Sequence, residues 1–217
     1  MPSITSLQNP RIKRIVKLSD RRYRDEVGQT IVEGLREVGL ALHAGPAPLE
    51  AYVCAERLAP EAHPLVRQLE KLAAARRTEL FEVTPAVFEK IAYRGESGGL
   101  LLVIAYRSVE LNELTADVPF LVIIEEAEKP GNLGAILRTA DAAGVDAVIA
   151  PIAPGGRGTD LHNPNVIRAS LGAYFTVPVV AAPATEIIEW LGERDIEIIA
   201  ATPAADRLYT DVELTGP

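Results

Sequence analysis

The sequence is poor in the residues that form cross-links or metal sites. Its 217 residues include one cysteine, Cys54, which excludes an internal disulfide. The three histidines are scattered without the spacing of a zinc site, so no metal is expected. No apolar run approaches membrane-spanning length, and the start, MPSITSLQNPRIKR, has no apolar signal-peptide core. These absences predict a cytoplasmic protein with neither a metal nor a membrane as partner.

Positive charge is also scarce overall, but it is concentrated at one end. The net charge of −8 at pH 7 argues against a general nucleic-acid coat. Residues 1–24 nevertheless carry seven basic groups and one acid, a local charge of +6 that leaves −14 for the rest of the chain. Such asymmetry indicates contact with a polyanion at that end. A solvated basic helix face explains the same run equally well, so the charge pattern leaves both interpretations open.

The first half of the chain alternates apolar and polar stretches in a βα pattern. Strands are predicted at 30–32, 49–54, 80–83 and 100–105, and helices at 11–17, 33–44, 64–77 and 85–93. Residues 107–118, RSVELNELTADV, are polar and irregular, which marks a domain boundary. The sequence therefore predicts a first domain of residues 1–106, a linker of residues 107–118 and a second domain of residues 119–217.

The second half repeats the alternation more regularly. Strands are predicted at 120–125, 146–150, 176–180 and 196–201, and helices at 133–143, 164–173 and 184–193. Single helices between consecutive strands predict an α/β fold with a parallel sheet, right-handed crossovers and helices on both faces. Ligands of such sheets bind at the carboxyl ends of the strands, where residues 130–132, the glycine-rich loop 154–158 and residues 201–203 are expected to lie.

One arginine, Arg138, stands in a predicted helix that consists mostly of small residues, within EKPGNLGAILRTADAAGV. Asn132 is predicted to cap this helix and Gly144 to end it, as Thr84 and Asn163 are predicted to cap the helices at 85–93 and 164–173. Leu133 and Leu137 are predicted to lie on the core face of the helix that carries Arg138. Arg138 lies off the apolar face of the helix, and its small neighbours leave room for a partner backbone, or for a phosphate and a sugar, to approach the guanidinium. An ion pair with Asp141 on a solvated face explains the same pattern, so the residues alone leave two alternatives.

Nucleotide-binding motifs of fixed spacing are absent from this segment. PGNLGAILRT lacks the Lys-Ser/Thr of a Walker A loop, and it contains G-x-x-G where a dinucleotide fold has G-x-G-x-x-G. The strand that follows ends in Ala150 and Pro151, whereas a nicotinamide-binding fold would place an acidic residue there. A nicotinamide enzyme is therefore a poor hypothesis for this chain.

PGNLGAILRTADAAGV strongly resembles the first motif of the SpoU (TrmH-like) RNA 2′-O-ribose methyltransferases of the SPOUT superfamily. NPNVIRASLGAYFTVPVV, residues 163–180, is similar to the middle segment of that family. The small substrate-binding domain of the family, and the junction that follows it, are similar to three stretches of this chain: ITSLQNPRIKRIVKL, IVEGLREV and FEKIAYRGESGGLLLVI. The resemblance spans nearly all of residues 3–203. It implies a SPOUT-type parallel sheet, knotted as a trefoil in the full-length protein, after a small α/β domain that binds RNA.

The resemblance also implies an activity: transfer of a methyl group from S-adenosylmethionine to a ribose 2′-hydroxyl in ribosomal or transfer RNA, by a homodimer when full-length. It implies that Asn132 and Arg138 are catalytic, with Arg138 near the target ribose and its phosphate. Because a guanidinium stays protonated, we expect Arg138 to clamp the phosphate and orient the hydroxyl rather than to act as a base. The predicted RNA-binding residues are Asn9, Arg11, Lys13, Arg14, Arg168 and Ser170. For Arg168, a structural ion pair is the alternative.

The sequence departs from the family at its C-terminal end. The family carries a glycine-rich turn and an S-L-N segment, which supply most of the cofactor pocket, and the sequence stops at DVELTGP before them. Only Thr202, by its position at a predicted strand end, is expected to touch the cofactor, and the remaining cofactor-binding residues are expected beyond Pro217. We therefore expect the 217-residue chain itself to be inactive and unknotted, with Leu133, Ile136 and Leu137 near exposed faces. The alternative is a catalytically inactive RNA-binding protein of the same fold.

Overall fold

The computed structural model describes residues 1–93, 97–117, 119–125, 127, 129–152 and 158–213, and these residues form two β-sheets. The strands of the first sheet are β1 (Ser3–Ile4), β2 (Gln29–Glu33), β3 (Glu50–Val53), β4 (Glu79–Val83) and β5 (Leu100–Ala105). They lie in the order β1-β4-β3-β5-β2. Strands β1, β4 and β3 run parallel, whereas β5 is antiparallel to both of its neighbours. The apolar sequence of β5, LLLVIA, fits this interior position because both of its faces are covered.

Helices cover both faces of the first sheet. They are α1 (Pro10–Lys17), α2 (Arg21–Val27), α3 (Leu35–Ala44), α4 (His63–Ala74) and α5 (Pro85–Ile91). One face packs against apolar residues of α1 and α5, and the other against those of α3 and α4. Thr84 caps α5 as predicted, since its hydroxyl accepts a hydrogen bond from the backbone N–H of Val87. Helix α2 was not predicted, because its buried residue is an arginine and it shows no apolar periodicity.

The second sheet is parallel, as the sequence predicts. Its strands, in spatial order, are β6 (Leu121–Ile123), β7 (Ala147–Ile152) and β8 (Val179–Pro183). Its helices are α6 (Pro130–Ala143), α7 (Pro164–Ala169) and α8 (Ala184–Gly192). None of the helices in the described ranges is long and apolar enough to cross a membrane.

The predicted strand at residues 196–201 is wrong, because this stretch has irregular backbone. Its sequence, IEIIAA, has the β-branched residues typical of a strand, but a strand also requires a neighbouring backbone with which to pair. Ile198 and Ile199 instead lie 58% and 47% exposed beside Leu121 and Ile123 of β6, in a shallow apolar groove. The stretch therefore has residues that favour a strand, but within the described residues it pairs with no neighbouring strand.

The largest apolar cluster runs through both sheets. It joins Val32 of the first sheet to Leu133, Leu137 and Phe175 of the second, and Ile136 packs against it while half-buried. Leu133 and Leu137 are 0% exposed, so the prediction that they form the core face of α6 is confirmed. The expectation that these leucines lie near exposed faces is wrong, because α7 and the turn that follows it cover them.

The predicted linker, residues 107–118, packs on the second sheet where it is described. Val109 forms an isolated parallel bridge with Val180 of β8. Leu111 begins a short 3₁₀ turn and is 4% exposed in a cluster with Val180 and Trp190. The segment is thus irregular but not detached from the second sheet.

Candidate functional site

A cleft of about 610 Å³ opens between the start of α3 and the helices α6 and α7. It is lined by Gly34, Glu37, Pro130, Gly131, Arg138, Asn165, Arg168, Ala169 and Leu171. Two residues that the sequence selected independently, Arg138 and Arg168, therefore face the same space. Because α3 belongs to the first sheet and the arginines to helices of the second, the cleft lies between the two predicted domains.

The start of α6 differs from the prediction that Asn132 caps it. Lys129 is the N-cap and Pro130 the first helical residue, the position at which proline is most favourable. Asn132 is therefore the third residue of the helix, exposed on the turn that carries the cleft residues Pro130 and Gly131. Gly144 ends the helix with φ 70°, as predicted.

A close approach of α6 to α7 brings the two arginines together. Gly134 lies against the backbone of α7, where a Cβ would be 2.7 Å from the carbonyl carbon of Ala169 and 2.8 Å from the nitrogen of Ser170. Real Cβ atoms are not found at such distances, so only glycine permits this contact. Arg138, one turn after Gly134, and Arg168, just before Ala169, consequently line one cleft.

Arg138 does not form the ion pair with Asp141 that was its alternative explanation. None of the ion pairs within the described residues involves Arg138, which is exposed. The Asp141 carboxylate instead accepts a hydrogen bond from the Thr176 hydroxyl at 2.7 Å. The guanidinium of Arg138 therefore keeps its donors for a group that enters the cleft.

Arg168 forms an ion pair with a residue of the first sheet. Its Nη1 donates to Oε1 of Glu33 at 3.3 Å, and the arginine side chain is 37% exposed. Glu33 is 4% exposed, and its other oxygen accepts from the backbone N–H of Tyr93 at 2.8 Å. The structural ion pair anticipated for Arg168 is thus present. It orients a guanidinium whose remaining donors face the cleft.

The predicted cap of α7 is confirmed, and the predicted RNA contact of Ser170 is not supported. Asn163 accepts a hydrogen bond from the backbone N–H of Asn165 at 2.9 Å, and proline follows as the first helical residue. Ser170 is 1% exposed. Its hydroxyl donates to the carbonyl of Ile167 at 2.7 Å and accepts from the N–H of Tyr174 at 3.2 Å. These bonds hold the end of α7 and leave Ser170 inaccessible to a phosphate.

Three of the residues predicted to contact RNA, in the basic N-terminal run, have partners within the first predicted domain. Arg11 and Arg14 each donate to the buried carboxylate of Glu50 at 2.5 Å. The hydroxyl of Tyr52 donates to the same carboxylate at 2.6 Å. Burial of this hydroxyl raises the pKa of Tyr52, and the hydrogen bond to Glu50 raises it further. Asn9 caps α1 by accepting from the N–H of Arg11. The sequence could not reveal this, since Glu50 belongs to a distant strand.

Arg24 is also removed from the polyanion surface that the charge run predicted. It is 1% exposed, donates to the carbonyls of Leu18 and Ser19, and pairs with Asp160 at 2.5 Å. Lys13, Lys17 and Arg22 are exposed, and none of the ion pairs in the described part of the chain involves them. The accessible positive charge of the run is therefore reduced chiefly to these three residues.

His162, which its sequence context did not single out, lies at the junction of the two sheets. Its carbonyl accepts from the hydroxyl of Thr30 at 2.6 Å, and its Nδ1 lies 2.6 Å from the hydroxyl of Tyr174. Its ring stacks on Tyr106 with a centroid distance of 3.7 Å. Burial lowers the pKa of His162 to about 4, so the ring is neutral near pH 7. Together with the Arg24–Asp160 pair, these contacts fix α7 against the first sheet.

The cofactor contact expected of Thr202 stays a prediction. Thr202 is exposed on irregular backbone, and its hydroxyl accepts from the N–H of Ala204 at 3.3 Å. The predicted ligand loop at 154–158 lies outside the described residues except for Gly158. The described residues also contain no cluster of three or more histidine, cysteine or acidic side chains that could hold a metal ion.

The rest of the predicted cofactor site cannot be placed on the described part of the chain. Its residues were expected beyond Pro217, and Pro217 itself lies outside the described residues, which end at Glu213. The assignment of most cofactor contacts to residues after Pro217 therefore stays a prediction. What the structure does describe at this end is an exposed, irregular stretch from Ile198 to Leu208.

Comparison with known proteins assigns families to both parts of the chain. Residues 119–217 match the model of the SpoU rRNA Methylase family, and residues 9–102 match that of the MRM3-like substrate binding domain. The 23S rRNA (guanosine-2′-O-)-methyltransferase RlmB of Pectobacterium atrosepticum is 31% identical over 86% of this chain and 77% of that protein. The 23S rRNA (uridine(2479)-2′-O)-methyltransferase of Streptomyces viridochromogenes is 28% identical over 92% of this chain and 69% of that protein.

A solved structure shows the same fold. The AdoMet-bound rRNA methyltransferase from Sinorhizobium meliloti superimposes with a TM-score of 0.76 at 29% identity. The match covers 88% of this chain and 69% of that protein. The relatives thus share one chemistry, while their names specify different nucleosides.

Proposed function

This chain belongs to the SpoU rRNA methylase family, and from that premise we propose that it acts in the transfer of a methyl group from S-adenosylmethionine to a ribose 2′-hydroxyl of ribosomal RNA. The observation that carries the proposal for the site is the cleft in which Arg138 and Arg168, from different helices, face the same space. Two guanidinium groups with free donors suit the phosphates on either side of a target ribose.

Arg138 is the residue we assign to the reacting nucleotide. A guanidinium donates hydrogen bonds and has no acceptor, so Arg138 binds a phosphate oxygen and orients the hydroxyl rather than removing its proton. Arg168, held by Glu33, contributes a second phosphate contact in a fixed direction. Positioning of this kind carries much of the rate of a displacement in which the attacking oxygen must be in line with the leaving group. S-adenosylmethionine supplies the methyl group when it is bound.

We propose that residues 1–106 bind the RNA substrate and that residues 119–217 form the methyltransferase domain. Residues 107–118 connect these two domains. Lys13, Lys17 and Arg22 support the RNA-binding role of the first domain, because they are exposed and lie in the net positive run. A cytoplasmic location and a homodimer complete the proposal. Sedimentation equilibrium of the full-length protein tests the dimer, since a single species with the mass of one chain at micromolar concentration would contradict it.

The experiment that tests the function uses the full-length protein and measures transfer of a labelled methyl group from S-adenosylmethionine to ribosomal RNA. Arg138→Ala should lower the rate at least about 100-fold, as loss of one donor to a transition-state oxygen does elsewhere. Arg138→Lys should fail nearly as badly, because an ammonium does not reproduce the planar two-pronged contact. Arg36→Ala, which removes an arginine that does not line the cleft, is the control. A lysine variant with most of the wild-type rate would contradict the clamp, and a full-length wild-type protein without transfer would favour a non-catalytic RNA-binding role.

A further inference from the structure

Glu37 is a buried carboxylate that the proposed chemistry does not use. It is the third residue of α3, is 6% exposed and lines the cleft with Arg138 and Arg168. Within the described residues it forms neither a hydrogen bond nor an ion pair. Neither of its carboxylate oxygens is among the fully buried side-chain atoms that lack a hydrogen-bond partner, so both keep contact with solvent. A ligand in the cleft can therefore reach two acceptors that no group in the described part of the chain occupies.

Glu37 lies in the first turn of α3, where the helix dipole favours a negative charge. The two arginines of the cleft do not pair with it. Arg168 is bound to Glu33, and neither arginine forms an ion pair with Glu37 in the described part of the structure.

The backbone beside Glu37 is shaped around its carboxylate. Gly34 has φ 97°, a conformation that favours glycine, and the carboxylate lies directly against its Cα, where a side chain would collide with it. The carboxylate is thus held beside a residue that presents no side chain, at the wall of the cleft. The cleft is too large for the carboxylate alone to fill, and the arginines supply its phosphate-binding groups.

We propose that Glu37 reads the base of the nucleotide that the cleft takes up, by accepting two N–H donors from the edge of a guanine. A carboxylate only accepts hydrogen bonds, and its two oxygens match two parallel donors. Guanine offers such a pair, N1–H and the 2-amino group, on its Watson–Crick edge, whereas uracil offers a single N–H. Bases of single-stranded RNA are read on these edges once they are unstacked. The inference deepens the proposed function and rests on it.

The test compares short single-stranded RNAs that are identical except for one central nucleotide: guanosine, inosine, which lacks the 2-amino group, or uridine. Binding to the full chain is measured by fluorescence anisotropy at fixed salt. Wild-type protein should prefer guanosine to inosine by about tenfold, the discrimination typical of one bidentate contact. Glu37→Gln, which keeps the shape but replaces one acceptor with a donor, should reduce this preference to less than about twofold. Glu70→Gln, an exposed acid on α4, should leave it unchanged.

The possible outcomes distinguish the role of Glu37 from the proposal that the cleft is the RNA site. The guanosine-to-inosine ratio is measured within one protein preparation, so partial unfolding of a variant cannot imitate its loss. Equal binding of the three RNAs by wild-type protein, or a preference that survives Glu37→Gln, overturns the role of Glu37 alone. Wild-type binding that is insensitive to Arg138→Ala, or absent, overturns the cleft as the RNA site and the role of Glu37 with it.

Discussion

The arginines of α1 and those of the cleft began as the same kind of prediction, and the structure separates them. Arg11 and Arg14 converge on one buried carboxylate, Glu50, at 2.5 Å each. Arg138 has no carboxylate partner in the described residues, and Arg168 has a single contact with Glu33 at 3.3 Å. The difference lies in the acids that the fold brings near each arginine. A basic run therefore indicates available charge only after its buried partners have been identified.

The largest effect on stability is expected at Glu50, the carboxylate that the arginines of α1 share. Glu50→Ala removes the acceptor shared by Arg11, Arg14 and the hydroxyl of Tyr52, and should lower the free energy of unfolding by about 3 kcal/mol or more. The measurement is urea unfolding followed by circular dichroism. Glu79→Ala, which removes an exposed partner of Arg11, is the matched control and should cost less than about 1 kcal/mol. If both variants unfold at the same urea concentration, the network around Glu50 does not hold the first sheet.

The junction between the two regions should respond to pH through His162. Its pKa in the folded protein is about 4, below the ordinary value of 6.5, so the unfolded chain takes up the proton first. The stabilising contribution is therefore complete above pH 6.5 and is lost as the pH falls from 6.5 to 4, by about 3–4 kcal/mol in all. The free energy of unfolding should be measured across this range for wild type and His162→Gln, with the exposed His43→Gln as control. Parallel pH curves for wild type and His162→Gln would show that His162 does not titrate as inferred.

The smallest expected effect is on the salt dependence of RNA binding, and it distinguishes the exposed lysines of residues 1–24 from Arg14, which is paired with Glu50. Lys13→Ala and Lys17→Ala should each flatten the dependence of log K on log salt by about 0.7–0.9, since each removes a phosphate contact. Arg14→Ala should leave this slope unchanged, because Glu50 and Glu79 together balance the charges of Arg14 and Arg11. RNA binding is titrated at several salt concentrations for each variant. A flattened slope for Arg14→Ala that equals that of Lys13→Ala would erase the distinction between the two groups of cations.

The fold and the site were predictable from the sequence to different degrees. Apolar periodicity and caps such as Thr84, Asn163 and Gly144 act within a few residues, so most elements could be predicted close to their observed bounds. The segment at 196–201 failed because strand formation also depends on a pairing partner. Arg138 could be selected because small neighbours and a family motif surround it in the sequence.

The sequence by itself determined the alternating α/β elements, the parallel second sheet and the arginine in the first helix of that sheet, because each depends on local pattern. The tertiary structure alone decided which charges are available. It buried Arg24 against Asp160, joined Arg11 and Arg14 through Glu50, and left Glu37 in the cleft without a described partner. Electrostatic energy depends on the distance and burial of charges, and residues far apart in the sequence acquire these only when the chain folds.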